Sequence, residues 1–126
     1  MQAAELLPDA AARVLVVDDD EAVRSVLARI LADEGFEVVG VAADGVEAVA
    51  LARELQPNAV VLDVRMPRMD GIEAVRRIRP LDDDVRLVML SAYDDATLQR
   101  EAREAGASTF LVKGCPLSDL VDAMTG

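Results

Sequence analysis

The sequence predicts an α/β fold, a doubly wound parallel sheet of five strands with helices on both faces. Three observations lead there. Five short runs rich in Val, Leu and Ala alternate with five stretches whose apolar residues recur at helical spacing. Runs such as Ala59–Leu62 are hydrophobic without a break, as strands covered on both sides are. Parallel neighbours need crossovers, and right-handed crossovers place helices on both faces of the sheet, giving a three-layer (βα)5 sandwich.

The elements follow in order. Residues 1–12 contain Pro8 and no sustained periodicity, so they read as an N-terminal tail with at most a loose helical turn. Residues 13–126 read as one domain. A strand over Arg13–Val17 ends at Asp18-Asp19-Asp20, and Val23, Val26, Leu27, Ile30 and Leu31 then form one helical stripe that Gly35 stops. Glu37–Ala42 is the second strand. Asp44 caps the next helix, with Glu47 three residues on and Ala48, Leu51, Ala52 and Leu55 on its buried face. Gln56-Pro57-Asn58 breaks the chain before the third strand, which ends at Asp63.

Pro67 keeps Met66 extended, so the third helix starts only after it, with Asp70 as cap and Glu73 in the capping-box position. That helix covers 72–79 and is stopped by Pro80, and Leu81-Asp82-Asp83-Asp84 is a polar turn. Residues 85–90 are the fourth strand, ending at Ser91. Ala96–Ala105 is a helix whose apolar face is mostly alanine plus Leu98, which makes it the most weakly anchored of the five. Gly106 ends it. Residues 108–112 form the fifth strand, ending at Lys113. Leu117, Leu120, Val121 and Met124 begin a fifth helix that looks short, and no effector domain is expected within the chain. Asp-Gly-Val-Glu-Ala-Val at 44–49 recurs as Asp-Gly-Ile-Glu-Ala-Val at 70–75, a repeated helix start.

Composition narrows the chemistry. The 126 residues suffice for one core, and with 52% apolar but 2% aromatic residues that core is aliphatic. No apolar run approaches the roughly 18 residues of a membrane span, and the first residues lack the pattern of a signal peptide. Cys115 is the lone cysteine, so no internal disulfide can form and a cytoplasmic setting is expected. With 24 acids against 13 bases, a net charge of −11 argues against direct binding to nucleic acid. The chain has no histidine, which excludes Ser-His and Cys-His dyads and imidazole metal sites. Carboxylates, a hydroxyl and a lysine remain.

Those groups stand at strand ends: Asp18 and Asp19, Asp63, Ser91, Lys113. Singly, each has an ordinary explanation, because acids before helices are favoured by capping and by the macrodipole. If the strand order is 2-1-3-4-5, strands one and three meet at the switch point, where open α/β sheets keep their chemistry. Three carboxylates would then share one crevice with a hydroxyl and an ammonium. Repulsion among them calls for shared protons or a cation, and hard oxygen donors favour Mg²⁺. Asp63 is then placed to attack phosphorus, with Lys113 and Ser91 on the phosphoryl oxygens.

The motifs Val-Leu-Val-Val-Asp-Asp-Asp (14–20), Val-Val-Leu-Asp-Val-Arg-Met-Pro-Arg-Met-Asp-Gly (60–71), Leu-Ser-Ala (90–92) and Phe-Leu-Val-Lys (110–113) closely resemble the receiver domain of two-component response regulators. The resemblance implies a flavodoxin-like fold and a phosphoryl group accepted on Asp63 from a sensor histidine kinase. It further implies Mg²⁺ held by Asp19, Asp63 and the backbone carbonyl of Arg65, with Asp18 assisting through a water. Lys113 would pair with the acyl phosphate, Ser91 and Phe110 would form the switch pair, and Arg65 and Tyr93 would flank the path of attacking water. The output surface would be the fourth helix, fifth strand and fifth helix, and homodimers would form there or through the first and fifth helices. Gly114 stands where most receivers carry proline. That absence, with Asp-Val-Arg-Met-Pro, suits the NarL/LuxR type of transcription regulator, in which DNA would be bound only by an effector domain outside this chain.

Two other functions compete. Asp18-x-Asp20 after an apolar strand resembles the nucleophile motif of haloacid-dehalogenase-type phosphatases, but the later acidic motif and a cap domain are missing. An interaction module that is never phosphorylated is the second, and it does not explain why all five site positions are kept. No turnover of a separate substrate is expected.

Overall fold

The computed structural model describes residues 12–125, and the expected tail over 1–12 lies outside them except for Ala12. The five runs form strands β1 (Arg13–Val17), β2 (Glu37–Ala42), β3 (Ala59–Leu62), β4 (Arg86–Ser91) and β5 (Thr109–Val112). All pair in parallel, in the order β2-β1-β3-β4-β5. Between and after them lie α1 (Glu21–Asp33), α2 (Gly45–Leu55), α3 (Gly71–Ile78), α4 (Ala96–Ala105) and α5 (Leu117–Thr125). The doubly wound fold is therefore the one expected, with β1 and β3 adjacent.

Although β3 is apolar throughout, its residues divide strictly between two cores. Val60 and Leu62 join Leu15, Val17, Leu87 and Met89 beneath α2, α3 and α4. Ala59 and Val61 join Val14, Val16, Val88 and Leu90 beneath α1 and α5, where Leu31, Leu120 and Met124 close the layer. This is the period-two alternation of a strand with both faces buried. Among the described residues, no helix is long and apolar enough to cross a membrane.

Helix ends follow side-chain chemistry. Asp20, Asp44, Asp70 and Asp95 each accept from backbone N–H groups at the start of α1, α2, α3 and α4. The expected capping box of α3 is only half made: Asp70 accepts from Glu73 N at 2.9 Å, while the Glu73 carboxylate turns to Arg76 and Arg77. Pro80 does not end the helix outright. Residues Arg79–Leu81 continue as one 3-10 turn, which proline tolerates near its start, so Leu81 belongs to that turn and not to the polar loop.

Arg79 ties that turn to the rest of the fold. Its guanidinium donates to Gly106 O at 3.0 and 2.8 Å, to Asp82 O and Asp83 O at 3.1 Å, and to Val85 O at 2.9 Å. Gly106, at φ +118, ends α4, and a Cβ there would lie 2.9 Å from Arg79 Cγ. The last turn of α4 is thus bolted down, while its packed face is Ala102 and Ala105 with Leu98 partly covered.

Candidate functional site

The site is assembled by the sheet register. β1 ends at Asp18, whose N–H donates to Ala42 O at 3.1 Å, and β3 ends at Asp63, whose N–H donates to Val17 O at 3.1 Å. One more ladder step, Lys113 N to Ser91 O at 2.7 Å, carries β5 past the end of β4 and brings Lys113 to the same edge. Asp18 is 1% exposed. Its Oδ1 accepts from Asp20 N and its Oδ2 from Lys113 Nζ, both at 2.9 Å. Lys113 Nζ also donates to Asp63 Oδ2 at 3.3 Å. Oxygens of Asp18, Asp19 and Asp63 lie within 4.8 Å of one another.

The electrostatics follow from this crowding. Burial raises the Asp63 pKa; the Lys113 charge opposes that and the Asp18 charge adds to it, leaving the carboxyl above its ordinary value. Burial pulls Lys113 down, but hydrogen bonds and charge from Asp18 and Asp63 outweigh it, so its ammonium is held above the ordinary lysine value. Three hard oxygen donors of net excess negative charge fit a small divalent cation such as Mg²⁺ better than a soft or imidazole-seeking metal. Arg65 borders the mouth of this crevice, an open cleft of about 420 Å³ shared with Asp19, Met66 and Asp70.

Ser91 and Phe110 lie farther along. Ser91 is fully buried, and its Oγ accepts from Tyr93 N at 3.0 Å. Phe110 pairs with Met89, two residues before Ser91, and packs partly buried on the α2–α3–α4 core. It borders a small hollow with Gln99 and Arg103, so the structure places Ser91 and Phe110 on neighbouring strands and does not bring Phe110 to the carboxylates. Tyr93 is exposed. Gly114 has φ +95 with open space around the position of a Cβ, and among the described residues no peptide is cis.

Of the residues that support the site, Arg24 carries no local sequence signal and two glycines do. Arg24 of α1 donates to Asp18 O at 2.8 Å and so steadies the acidic turn. A Cβ on Gly71 would come within 1.9 Å of Asp63 O, so the helix following the loop can close on the strand end only as glycine. Gly45 plays the matching part at α2: its N–H donates to Met69 O at 3.0 Å, and a Cβ would sit 2.2 Å from that oxygen. The repeated Asp-Gly was the available signal. It marks two helix starts that grip the same loop from opposite ends.

Residues 14–125 match the response regulator receiver domain family. The transcriptional regulatory protein PdtaR of Mycobacterium tuberculosis is 44% identical over 117 residues, covering 89% of this chain and 54% of that protein. The chain thus spans about half the length of the curated relatives it matches. The receiver domain of the response regulator NarL from M. tuberculosis superposes with a TM-score of 0.84 at 31% identity, covering 92% of this chain and 98% of that one. A chain of the CheX–CheY–BeF3–Mg²⁺ complex from Borrelia burgdorferi gives 0.83 at 34% identity, covering 89% and 85%. On its fold, its strand-end acids and these similarities, the chain belongs to the receiver domains of two-component response regulators.

Proposed function

We propose that the chain accepts a phosphoryl group on Asp63 from a phosphohistidine of a partner sensor kinase. The observation that carries this reading is Lys113 bridging Asp18 and Asp63 beside Asp19, at the carboxyl edge of the sheet. An Asp63 oxygen forms the new O–P bond as the donor's N–P bond breaks, and the electron pair leaves with the imidazole nitrogen, which takes a proton from water. Asp18, Asp19, Asp63 and the Arg65 carbonyl would hold Mg²⁺, which when bound supplies positive charge to the phosphoryl oxygens. The similar chain from a complex that contains BeF3 and Mg²⁺ supports a divalent cation in this fold. Lys113 changes partner from the Asp63 carboxylate to the phosphoryl oxygen, and the Ser91 hydroxyl moves toward another. Phe110 turns inward with it.

The added charge, about −1.5 to −2, shifts the populations of two arrangements of α4, β5 and α5. That surface is the output, and in a full-length protein of the NarL/LuxR type the output is transcription, acting in the cytoplasm. The chain catalyses its own phosphorylation and hydrolysis and turns over no separate substrate. Incubation with Mg²⁺ and acetyl phosphate tests this. We expect one phosphoryl mass on the wild type and none on Asp63→Asn, and an unchanged mass for the wild type would refute it.

A further inference from the structure

We propose that Asp44, at the start of α2, is a positioning residue for the phosphoacceptor loop, acting through Arg68 and Gly45. The inference rests on the phosphoacceptor reading, yet none of the three residues touches Asp63. The loop between β3 and α3 contains one backbone outlier, Arg68 at φ +66, a left-handed conformation unfavourable for a residue with a side chain. Such a conformation persists in an exposed loop only when its surroundings hold it. Met69 N donates to Pro67 O at 2.7 Å directly across Arg68, and three further contacts hold the loop that contains this turn. Arg68 Nε donates to Asp44 Oδ2 at 3.0 Å, Gly45 N donates to Met69 O at 3.0 Å, and Gly71 N donates to Val64 O at 2.7 Å.

Asp44 is a firm anchor for this purpose. Its Oδ1 accepts from Glu47 N at 2.9 Å, and Glu47 in turn accepts from Ala43 N at 2.8 Å. The carboxylate is therefore fixed by α2, and the side chain of Asp44 is 13% exposed against 62% for Arg68. The approach of Gly45 to Met69 O, where no Cβ fits, seats the loop on that helix. Holding residues 68 and 69 at one end and Val64 at the other leaves Arg65 and Met66 little freedom. The carbonyl of Arg65, the one proposed metal ligand supplied by backbone, is set by α2 and not by β3 alone. An exposed ion pair adds little to stability, so the role of this one lies in where it puts the loop.

The test uses Asp44→Asn, which keeps an oxygen for Glu47 N, together with Arg68→Ala and the double variant. Mg²⁺ affinity by calorimetry should weaken by about tenfold, the usual scale when a group that orients a metal ligand is lost. Acetyl phosphate labelling should slow in parallel, and the double variant should be no worse than either single one. Arg68→Lys should recover part of the affinity, and the urea midpoint should move little. In the metal-free protein, amide exchange at Gly45 and Met69 should accelerate in Asp44→Asn and Arg68→Ala. Unchanged exchange at Gly45 and Met69, or unchanged Mg²⁺ affinity in a wild type that binds the ion, overturns the proposal. If the wild type binds Mg²⁺ but gains no phosphate, the phosphoacceptor reading fails, and affinity and exchange still decide the role of Asp44.

Discussion

Lys113 Nζ stands nearer to Asp18 Oδ2, at 2.9 Å, than to Asp63 Oδ2, at 3.3 Å. Its charge thus lies among the oxygens proposed to bind the metal, and it competes for them. A unit charge at contact range is worth about 1 kcal/mol in water and about 4 kcal/mol near a protein surface. Lys113 is partly solvated, so the lower figure applies. Lys113→Ala should bind Mg²⁺ roughly fivefold more tightly while its labelling by acetyl phosphate slows. Calorimetry and labelling rates read the two effects separately, and weaker Mg²⁺ binding would show that the lysine positions the carboxylates instead of opposing the cation.

Burial sets the ionised carboxylate of Asp63 against the fold. Burial foremost, then the Asp18 charge, raises its pKa against the pull of Lys113. An acid whose pKa is higher folded than unfolded favours the folded state when protonated, so its ionised form opposes folding at neutral pH. Asp63→Asn should therefore raise the urea midpoint at pH 7. The gain should shrink as pH falls through the folded pKa toward the unfolded value of 3.8. Parallel urea titrations at pH 7 and pH 4 check this, and a lower midpoint at pH 7 would mean that the bond to Lys113 outweighs burial.

Arg79 should matter to stability although it is far from the acids. Hydrogen bonds from a charged donor contribute about 1.5–3 kcal/mol each, but the carbonyls of Asp82 and Asp83 lie at the surface and regain water, while those of Val85 and Gly106 are partly covered. Arg79→Ala should cost about 2 kcal/mol by urea unfolding, with faster amide exchange at the end of α4 and the start of β5. Equal acceleration in α1 would mean global loosening and not the release of one joint.

The fold was legible because each strand is built on a short apolar run and the first four helix starts are capped by aspartate. Boundaries slipped where pairing decides them. Val85 is buried yet precedes the β4 ladder, which begins at Arg86, and Ser108 bonds to Leu87 O ahead of β5. The crevice was legible because its acids end adjacent strands. Arg68 on Asp44 and Arg79 on Gly106 were not, since these pairs are separated by 24 and 27 residues and neither leaves a periodic or local trace. The repeated Asp-Gly showed two helix starts but not that both close on one loop.

The fixing of α4 at one end has a mechanical meaning. At Gly106 the helix is held by a guanidinium, whereas Asp94 and Asp95 bond to Gln99, Thr97 and Leu98 within their own segment. A rod pivoted at one end converts a small push at the other into an angle. Under the proposed switch, side chains near Thr97 and Leu98 would sweep the widest arc and those near Arg103 would scarcely travel. A partner gripping the first turn of α4 would then read tilt, and one gripping the last turn would find almost the same surface before and after phosphorylation.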